Sequence, residues 1–367
     1  MKFKTIVIKV GTALVTKENN SLDTDFLKSF VKQIAELKKS GAKVLIVTSG
    51  AVASGRSELV FKREDNIPCK QALAAVGQGI LMNVYRNLFS RHNIATAQVL
   101  LTNLDFKNRE SFINTRNTLD LLMRFDVIPI INENDVTAYA EIKFGDNDNL
   151  SAKLAAMVGA DSLIILTTVK GFYTDDPTKN PKAELIREIR NIDAGLKKFA
   201  KGAESKKSLG GMASKLAAAE FTARSGIKTY IAAGTDENIL RKIISGEKCD
   251  CTVIYPSTEK HTSRQNWFKS QVKSGCAIIV NECTVAPLKT GGKSLLPVGI
   301  IDVRGKFSRG DFVEIIGPHG KLLGLGQSNY SSNDLGKIKG CKTPDACKIF
   351  GVGFEEEAIH RDNMVIL

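Results

Sequence analysis

Residues 127–135 read VIPIINEND, and residues 145–158 read GDNDNLSAKLAAMV. Val127–Ile131 is short, rich in isoleucine and without alternation, the pattern of a strand buried on both faces. The second segment places Leu150, Leu154, Met157 and Val158 on one face of a helix. Between strand and helix lie two clusters of carboxylates and amides, Asn132-Glu133-Asn134-Asp135 and, after Gly145, Asp146-Asn147-Asp148-Asn149. One Asp or Asn there would cap the helix. A run of four exceeds capping needs. Mixed carboxylates and amides at that place can bind an amino group, accept lysine charges or orient Mg2+.

The same alternation of strand and helix extends in both directions. Thr5–Val10, Val44–Val47, Ala95–Leu101, Leu163–Leu166 and Thr229–Ala232 read as further buried strands. Phe26, Leu27, Phe30, Val31, Ile34 and Leu37 share a helical face, with Thr24 as the expected N-cap and Gly41 as the stop. Ala72–Phe89 and Phe112–Met123 read as helices too. This predicts an α/β fold with a doubly wound, mostly parallel sheet, whose ligands bind outside the carboxyl ends of the strands. Past Tyr255 the pattern changes. Pro256–Gln265 is polar and aperiodic, a linker. Beyond it the short apolar runs Ala277–Val280, Gly299–Val303, Phe312–Ile316 and Leu322–Leu325 predict a small, mostly β domain. The expected domains are residues 1–258 and 272–367.

Composition narrows the function classes. The chain has 367 residues, 43% hydrophobic and 25% charged, which excludes global disorder. No apolar stretch approaches the roughly 20 residues needed to cross a bilayer. The N-terminal apolar run is broken by Lys9 and reads as a strand, not a signal peptide, so a cytoplasmic protein without membrane partners is expected. Seven cysteines, an odd number with no C-x-x-C pair, point to reduced thiols instead of a zinc site or disulfide framework. The formal charge of +13 suits anionic ligands, and it is spread out: +5 from Lys260 onward and +8 before it. That spread shows no concentrated nucleic-acid stripe.

Three more segments sit where a predicted strand meets a turn or helix. Lys9-Val10-Gly11-Thr12 can aim an ammonium at a phosphate, although a strand-end lysine also snorkels for no functional reason. Thr48-Ser49-Gly50-Ala51 offers hydroxyls and backbone N–H groups, as turns of many α/β proteins do. Gly210-Gly211-Met212-Ala213-Ser214-Lys215 opens a helix, either as a phosphate cradle or as a flexible entry loop. Two apparent motifs fail. Gly291-Gly292-Lys293-Ser294 lacks the upstream glycine of a phosphate loop, and His360-Arg361-Asp362-Asn363 stands where a protein-kinase loop could not continue.

Taken together, the segments IKVGT, VTSGA, VIPIINEND, AEIKFGDNDNLSA, KGFYTDDP, GGMASK and IAAG resemble, in order and spacing, the amino-acid kinase family, and within it the γ-glutamyl kinase branch. SLLPVGIIDVRGKFSRGDFVEI looks like a PUA domain. The resemblance implies an αβα sandwich that transfers phosphate from ATP to the side-chain carboxylate of L-glutamate, the first step of proline synthesis, with Mg2+ required. It also implies feedback by proline and a homo-oligomer, dimeric or tetrameric. By position, Lys9 and Lys215 correspond to the phosphate-binding and transition-state lysines, and Asp148 to the residue that orients them. Ser49, Asp135 and Asn147 correspond to glutamate contacts. Thr167, Thr168 and the loop Leu209-Gly210-Gly211-Met212-Ala213-Ser214-Lys215 correspond to nucleotide contacts. No residue corresponds to a metal ligand.

Two positions depart from the family pattern. Thr168 stands where an aspartate is usual, and Ala13 where a serine is, so nucleotide binding loses a carboxylate and a hydroxyl. As lysines at a strand end and a helix start, Lys9 and Lys215 are expected to be exposed and to contribute little to stability. A kinase of the same fold acting on aspartate, acetylglutamate, carbamate or a nucleoside monophosphate would share the lysines and glycines but not the acid–amide block. A catalytically dead relative is opposed by the retention of Lys9, Asp148 and Lys215. RNA binding as a primary role is disfavoured, because the C-terminal segment lacks interleaved aromatic and basic residues.

Overall fold

The computed structural model describes residues 4–367 except 60–65, 139–146, 176, 178–179, 181, 193–194, 197–210, 257–267, 269–271, 291 and 351–354. Gly145, Asp146, Leu209, Gly210 and most of the expected linker lie outside the described residues. The chain forms two compact units, Met1–Lys260 and His261–Leu367.

In the first unit the strands are β1 (Thr5–Val10), β2 (Lys43–Val47), β3 (Thr96–Leu101), β4 (Ile128–Glu133), β5 (Ser162–Thr167), β6 (Glu188–Ile189), β7 (Lys228–Ala233) and β8 (Cys251–Ile254). Its helices are α1 (Thr12–Val15), α2 (Thr24–Lys39), α3 (Ala51–Glu58), α4 (Ile67–Ser90), α5 (Asn103–Lys107), α6 (Arg109–Arg124), α7 (Asn147–Val158), α8 (Met212–Arg224) and α9 (Ile239–Ser245). The strands make one eight-stranded sheet in the order β3-β4-β2-β1-β5-β7-β8-β6. Every pairing is parallel except β7 with β8. β1 lies between β2 and β5, with Lys9 in register with Val47 on one side and Ile165 on the other.

Alternation along β1 decides which residues meet which layer. Ile6, Ile8 and Val10 enter the core cluster formed with Leu27, Phe30, Val31 and Ile34 of α2. Lys9 therefore points to the opposite face. Strand burial follows the expectation except at β3, which is only partly buried because it is an edge strand with a neighbour on one side. The cap of α2 also differs. Thr24 is the first helical residue, and Asp23 caps it by accepting from the N–H groups of Asp25 and Phe26. A carboxylate accepts these orphan donors and also favours the positive end of the helix dipole.

Two glycines allow α3 and α4 to approach closely. A Cβ on Gly77 would lie 1.8 Å from the Ala51 carbonyl oxygen, and one on Gly55 would lie 2.0 Å from that of Leu73. Any side chain at either place would separate the helices and move the residues that follow Gly77.

The second unit has a five-stranded sheet in the order β10-β9-β11-β12-β13: β9 (Val272–Val280), β10 (Ile300–Arg304), β11 (Phe312–Ile316), β12 (Leu322–Gln327) and β13 (Met364–Ile366). It also carries α10 (Glu282–Thr290), α11 (Ser332–Ile338) and α12 (Thr343–Phe350), which the short apolar runs did not announce. Ile278, Val280, Val313, Ile315, Leu323, Leu335 and Ile338 form a core of its own.

Candidate functional site

Chain segments from β1, the turn after β2, β4, α7 and α8 meet at the carboxyl ends of β1, β2 and β4. The first turn of α7 supplies the central residues, and adjacent ones turn to different neighbours. Asp148 is fully buried. Its Oδ1 lies 2.5 Å from Lys9 Nζ and its Oδ2 lies 3.2 Å from Lys215 Nζ, both lysines being buried as well, at 4% and 6% exposure. The Ser214 hydroxyl lies 2.9 Å from Asp148 Oδ2 and 2.9 Å from the Gly211 carbonyl oxygen. Burial works against the ionised carboxyl. The charges of Lys9 and then Lys215, with hydrogen bonds from Lys9 and Ser214, outweigh it and hold Asp148 below the usual carboxylate range.

The expectation that both lysines are exposed is thereby corrected. Each sits at the predicted strand end or helix start, yet α7 covers them, and their charge is met by one shared carboxylate. Two ammoniums share that carboxylate in a desolvated place. Such an arrangement favours an incoming anion.

Asn147 faces a neutral network. Its Nδ2 donates to the Thr48 carbonyl at 2.7 Å and lies 2.8 Å from Ser49 Oγ and 2.9 Å from Asn132 Oδ1. Asn132 Oδ1 also accepts from the Glu133 N–H at 2.9 Å, and Asn132 Nδ2 donates to Gln78 Oε1 at 2.9 Å. Asn147 Oδ1 and Gln78 Nε2 are buried polar atoms with no hydrogen-bond partner among the described residues. Beneath this layer the Thr48 hydroxyl pairs with the buried Tyr85 hydroxyl at 3.0 Å.

The structure thus brings together Lys9, Asp148, Ser214 and Lys215 in one cluster, and Ser49 with Asn147 in another. Asp135 is half-buried in the turn after β4, three residues beyond Asn132. Thr167 ends β5, where its carbonyl accepts from the Gly234 N–H at 2.8 Å, and Thr168 is exposed. Gly211 precedes the first turn of α8, where Met212 and Ala213 are half-buried. Leu209 and Gly210 lie outside the described residues. Sequence reasoning did not single out Gln78 or assign Asn132 individually. Asn132 stood inside the quoted acid–amide block. Gln78 had one available signal, a glutamine one turn after Ala74 on the apolar stripe of α4 that includes Leu73 and Leu81. Among the described residues, no three His, Cys, Asp or Glu side chains converge as a metal site, and no helix is long and apolar enough to cross a membrane.

The model of the amino acid kinase family matches residues 4–233, and that of the PUA domain matches residues 277–349. A glutamate 5-kinase of Dehalococcoides mccartyi (strain CBDB1) is 43% identical, covering 100% of this chain and 99% of its own. One from Caldanaerobacter subterraneus subsp. tengcongensis is 42% identical over 99% of this chain and 97% of its own. Among solved structures, UMP kinase from Ureaplasma parvum superposes with a TM-score of 0.46 at 17% identity, over 70% of this chain and 100% of that one. The chain belongs to the amino acid kinase family and carries a C-terminal PUA domain.

Proposed function

From that membership we propose that the protein transfers the γ-phosphoryl group of ATP to the side-chain carboxylate of L-glutamate, forming L-glutamyl 5-phosphate at the start of proline synthesis. The observation that carries this reading is end-to-end likeness to glutamate 5-kinases at 43% identity. The division between Asn147 and Asp148 supports it chemically. A glutamate side chain, with an unperturbed pKa of about 4.3, is already an anion at neutral pH and needs no general base. What it needs is a site that overcomes repulsion between a carboxylate and a polyphosphate.

In this reading Lys9 and Lys215 stabilise the charge that develops on the transferred phosphoryl group, and Asp148 holds both ammoniums in place. The N-terminal turn of α8, from Gly211 to Lys215, adds backbone N–H groups toward the nucleotide phosphates. Ser49, Asp135 and Asn147 hold the amino acid, and Thr167 and Thr168 border the nucleotide. The chemistry of the donor set fits a magnesium ion carried on the phosphates of ATP. Both Asp148 oxygens are engaged by lysines, so the cation would draw its oxygens from nucleotide and water. When bound, it neutralises charge between the β- and γ-phosphates. Proline feedback, a homo-oligomer and a cytoplasmic setting belong to the same proposal, as does a folding and regulatory division near residue 258.

The test is incubation with ATP, Mg2+ and hydroxylamine alongside glutamate, aspartate or acetylglutamate. Hydroxamate formed with glutamate alone is the expected result. Hydroxamate formed from aspartate instead would overturn the assignment.

A further inference from the structure

Cys249 and Cys251 flank Asp250 where the chain enters β8, and their sulfurs lie 3.7 Å apart. Alternate residues of an extended segment share one face, which is why a C-x-C spacing brings the thiols together. Cys251 is buried within the main core cluster. Cys249 is half-buried and lines an open cleft of about 470 Å³ with Asp236, Lys242, Lys248 and Asp250. Cys249 is thus partly open to the cleft, and the Cys251 sulfur lies beside its own at contact distance.

We propose that Cys249 and Cys251 form a redox-active dithiol, a modification site that a hydroperoxide closes to a disulfide. The Cys249 thiolate attacks the terminal oxygen of the hydroperoxide, the O–O bond breaks, and the alcohol or water leaves with a proton. Cys249 becomes a sulfenic acid. The Cys251 sulfur then attacks the Cys249 sulfur. The S–O bond breaks, and the hydroxyl leaves as water with the Cys251 proton. In sum, two thiols and one hydroperoxide give a disulfide, an alcohol or water, and a further water. Two electrons pass from the thiols to the peroxide.

The order of attack follows from the surroundings. Burial first, and the neighbouring Cys249 next, push the Cys251 thiol up to about 12. It stays protonated at neutral pH and does not react with peroxide by itself. Closure brings the sulfurs from 3.7 Å to bonding distance, an approach of roughly 1.7 Å. The residue between them is held from outside: Asp250 accepts from Lys170 and Arg187 at 2.8 Å each. Thr252 then accepts from the Phe172 N–H at 2.8 Å. The dithiol therefore joins the segment that follows Thr167 and Thr168. A disulfide closed across one residue is strained, and strained disulfides are readily reduced, so the change is reversible.

Trypsin cleavage after Lys248 and Lys260 yields CDCTVIYPSTEK, which holds these two cysteines and no other. The reduced full chain is treated with hydrogen peroxide, alkylated with iodoacetamide and mapped by mass. The expected peptide is two hydrogens lighter and carries no alkyl group, and dithiothreitol before alkylation restores both alkyl groups. In Cys251→Ser the expected product is a sulfenic acid at Cys249, trapped by dimedone. A wild-type peptide still alkylated at both cysteines, or oxidised at each to a sulfinic acid, would overturn the proposal. So would a Cys251→Ser peptide that takes no dimedone. The readout is a mass and does not depend on the kinase reading.

Discussion

Asn147 and Asp148 are neighbours in one helical turn, yet they enter opposite kinds of surroundings. Asp148 joins two buried lysines and a hydroxyl, a charged cluster. Asn147 joins Asn132, Ser49 and the Thr48 carbonyl, a neutral network with one buried oxygen that has no partner among the described residues. Successive residues of a helix point about 100° apart, so one turn can serve two substrates. The charged side suits phosphate. The neutral side suits an amino acid, whose ammonium and carboxylate need several weaker, directional partners.

Substitutions on the charged side should have the largest effect on turnover. Lys9→Ala and Lys215→Ala are each expected to lower kcat by at least ~100-fold, the scale of losing a preorganised charge-stabilising donor. Steady-state kinetics with both substrates saturating measures this, and near-normal turnover in either variant would remove that lysine from the chemistry.

Asp148→Ala tests stability on the same side. It leaves two buried ammoniums without their carboxylate, so a loss of about 3–5 kcal/mol is expected in denaturant melts, as for breaking a buried ion pair. Either lysine variant should lose less, because Asp148 keeps its other partner. The pH dependence has a definite direction. A depressed folded-state pKa stabilises above the unfolded value near 3.8 and ceases to do so as pH falls further. The difference between wild type and Asp148→Asn should accordingly be full at pH 7 and shrink below about pH 4. A difference independent of pH would mean that Asp148 acts by packing alone.

The neutral side should respond in KM. Asn147→Ala is expected to raise KM for glutamate about tenfold or more, with a much smaller change for ATP, since it removes a buried hydrogen-bonding group worth about 1–3 kcal/mol. Asp135→Ala should act in the same direction. Equal effects on both substrates would erase the division drawn between the two sides.

Gln78→Leu should give the smallest change. It deprives the Asn132 amide of its acceptor without touching a lysine. A few-fold rise in KM for glutamate is expected with kcat unchanged, and Gln78→Glu, which keeps an acceptor oxygen, should restore most of it. A fall in kcat alone would place Gln78 with the charged cluster.

Much of the architecture was legible as pattern. Short runs of Val, Ile and Leu separated by helical stripes marked ten of the thirteen described strands, missing the short β6, β8 and β13, because burial on two faces leaves a continuous apolar signal. The lysines, the glycines before α8 and the acid–amide block were visible as residue types out of place at strand and helix ends. Helices of the second unit were less visible, since α10, α11 and α12 are short and hold few buried residues to set a period.

Sequence alone determined most strands, the long helices α2, α4, α6 and α7, the mostly parallel character of the first sheet and the family resemblance, because these follow from local periodicity and from motifs contiguous in the chain. Tertiary structure alone decided that Lys9 and Lys215, 206 positions apart, share one carboxylate under cover of α7. It also decided that Gln78 reaches Asn132, and that two thiols of an odd set of seven lie in contact. The physical reason is the same in each case. Burial and pairing of a polar group depend on what another part of the chain lays over it, and a lysine at a strand end carries the same letter whether solvent or a helix covers it.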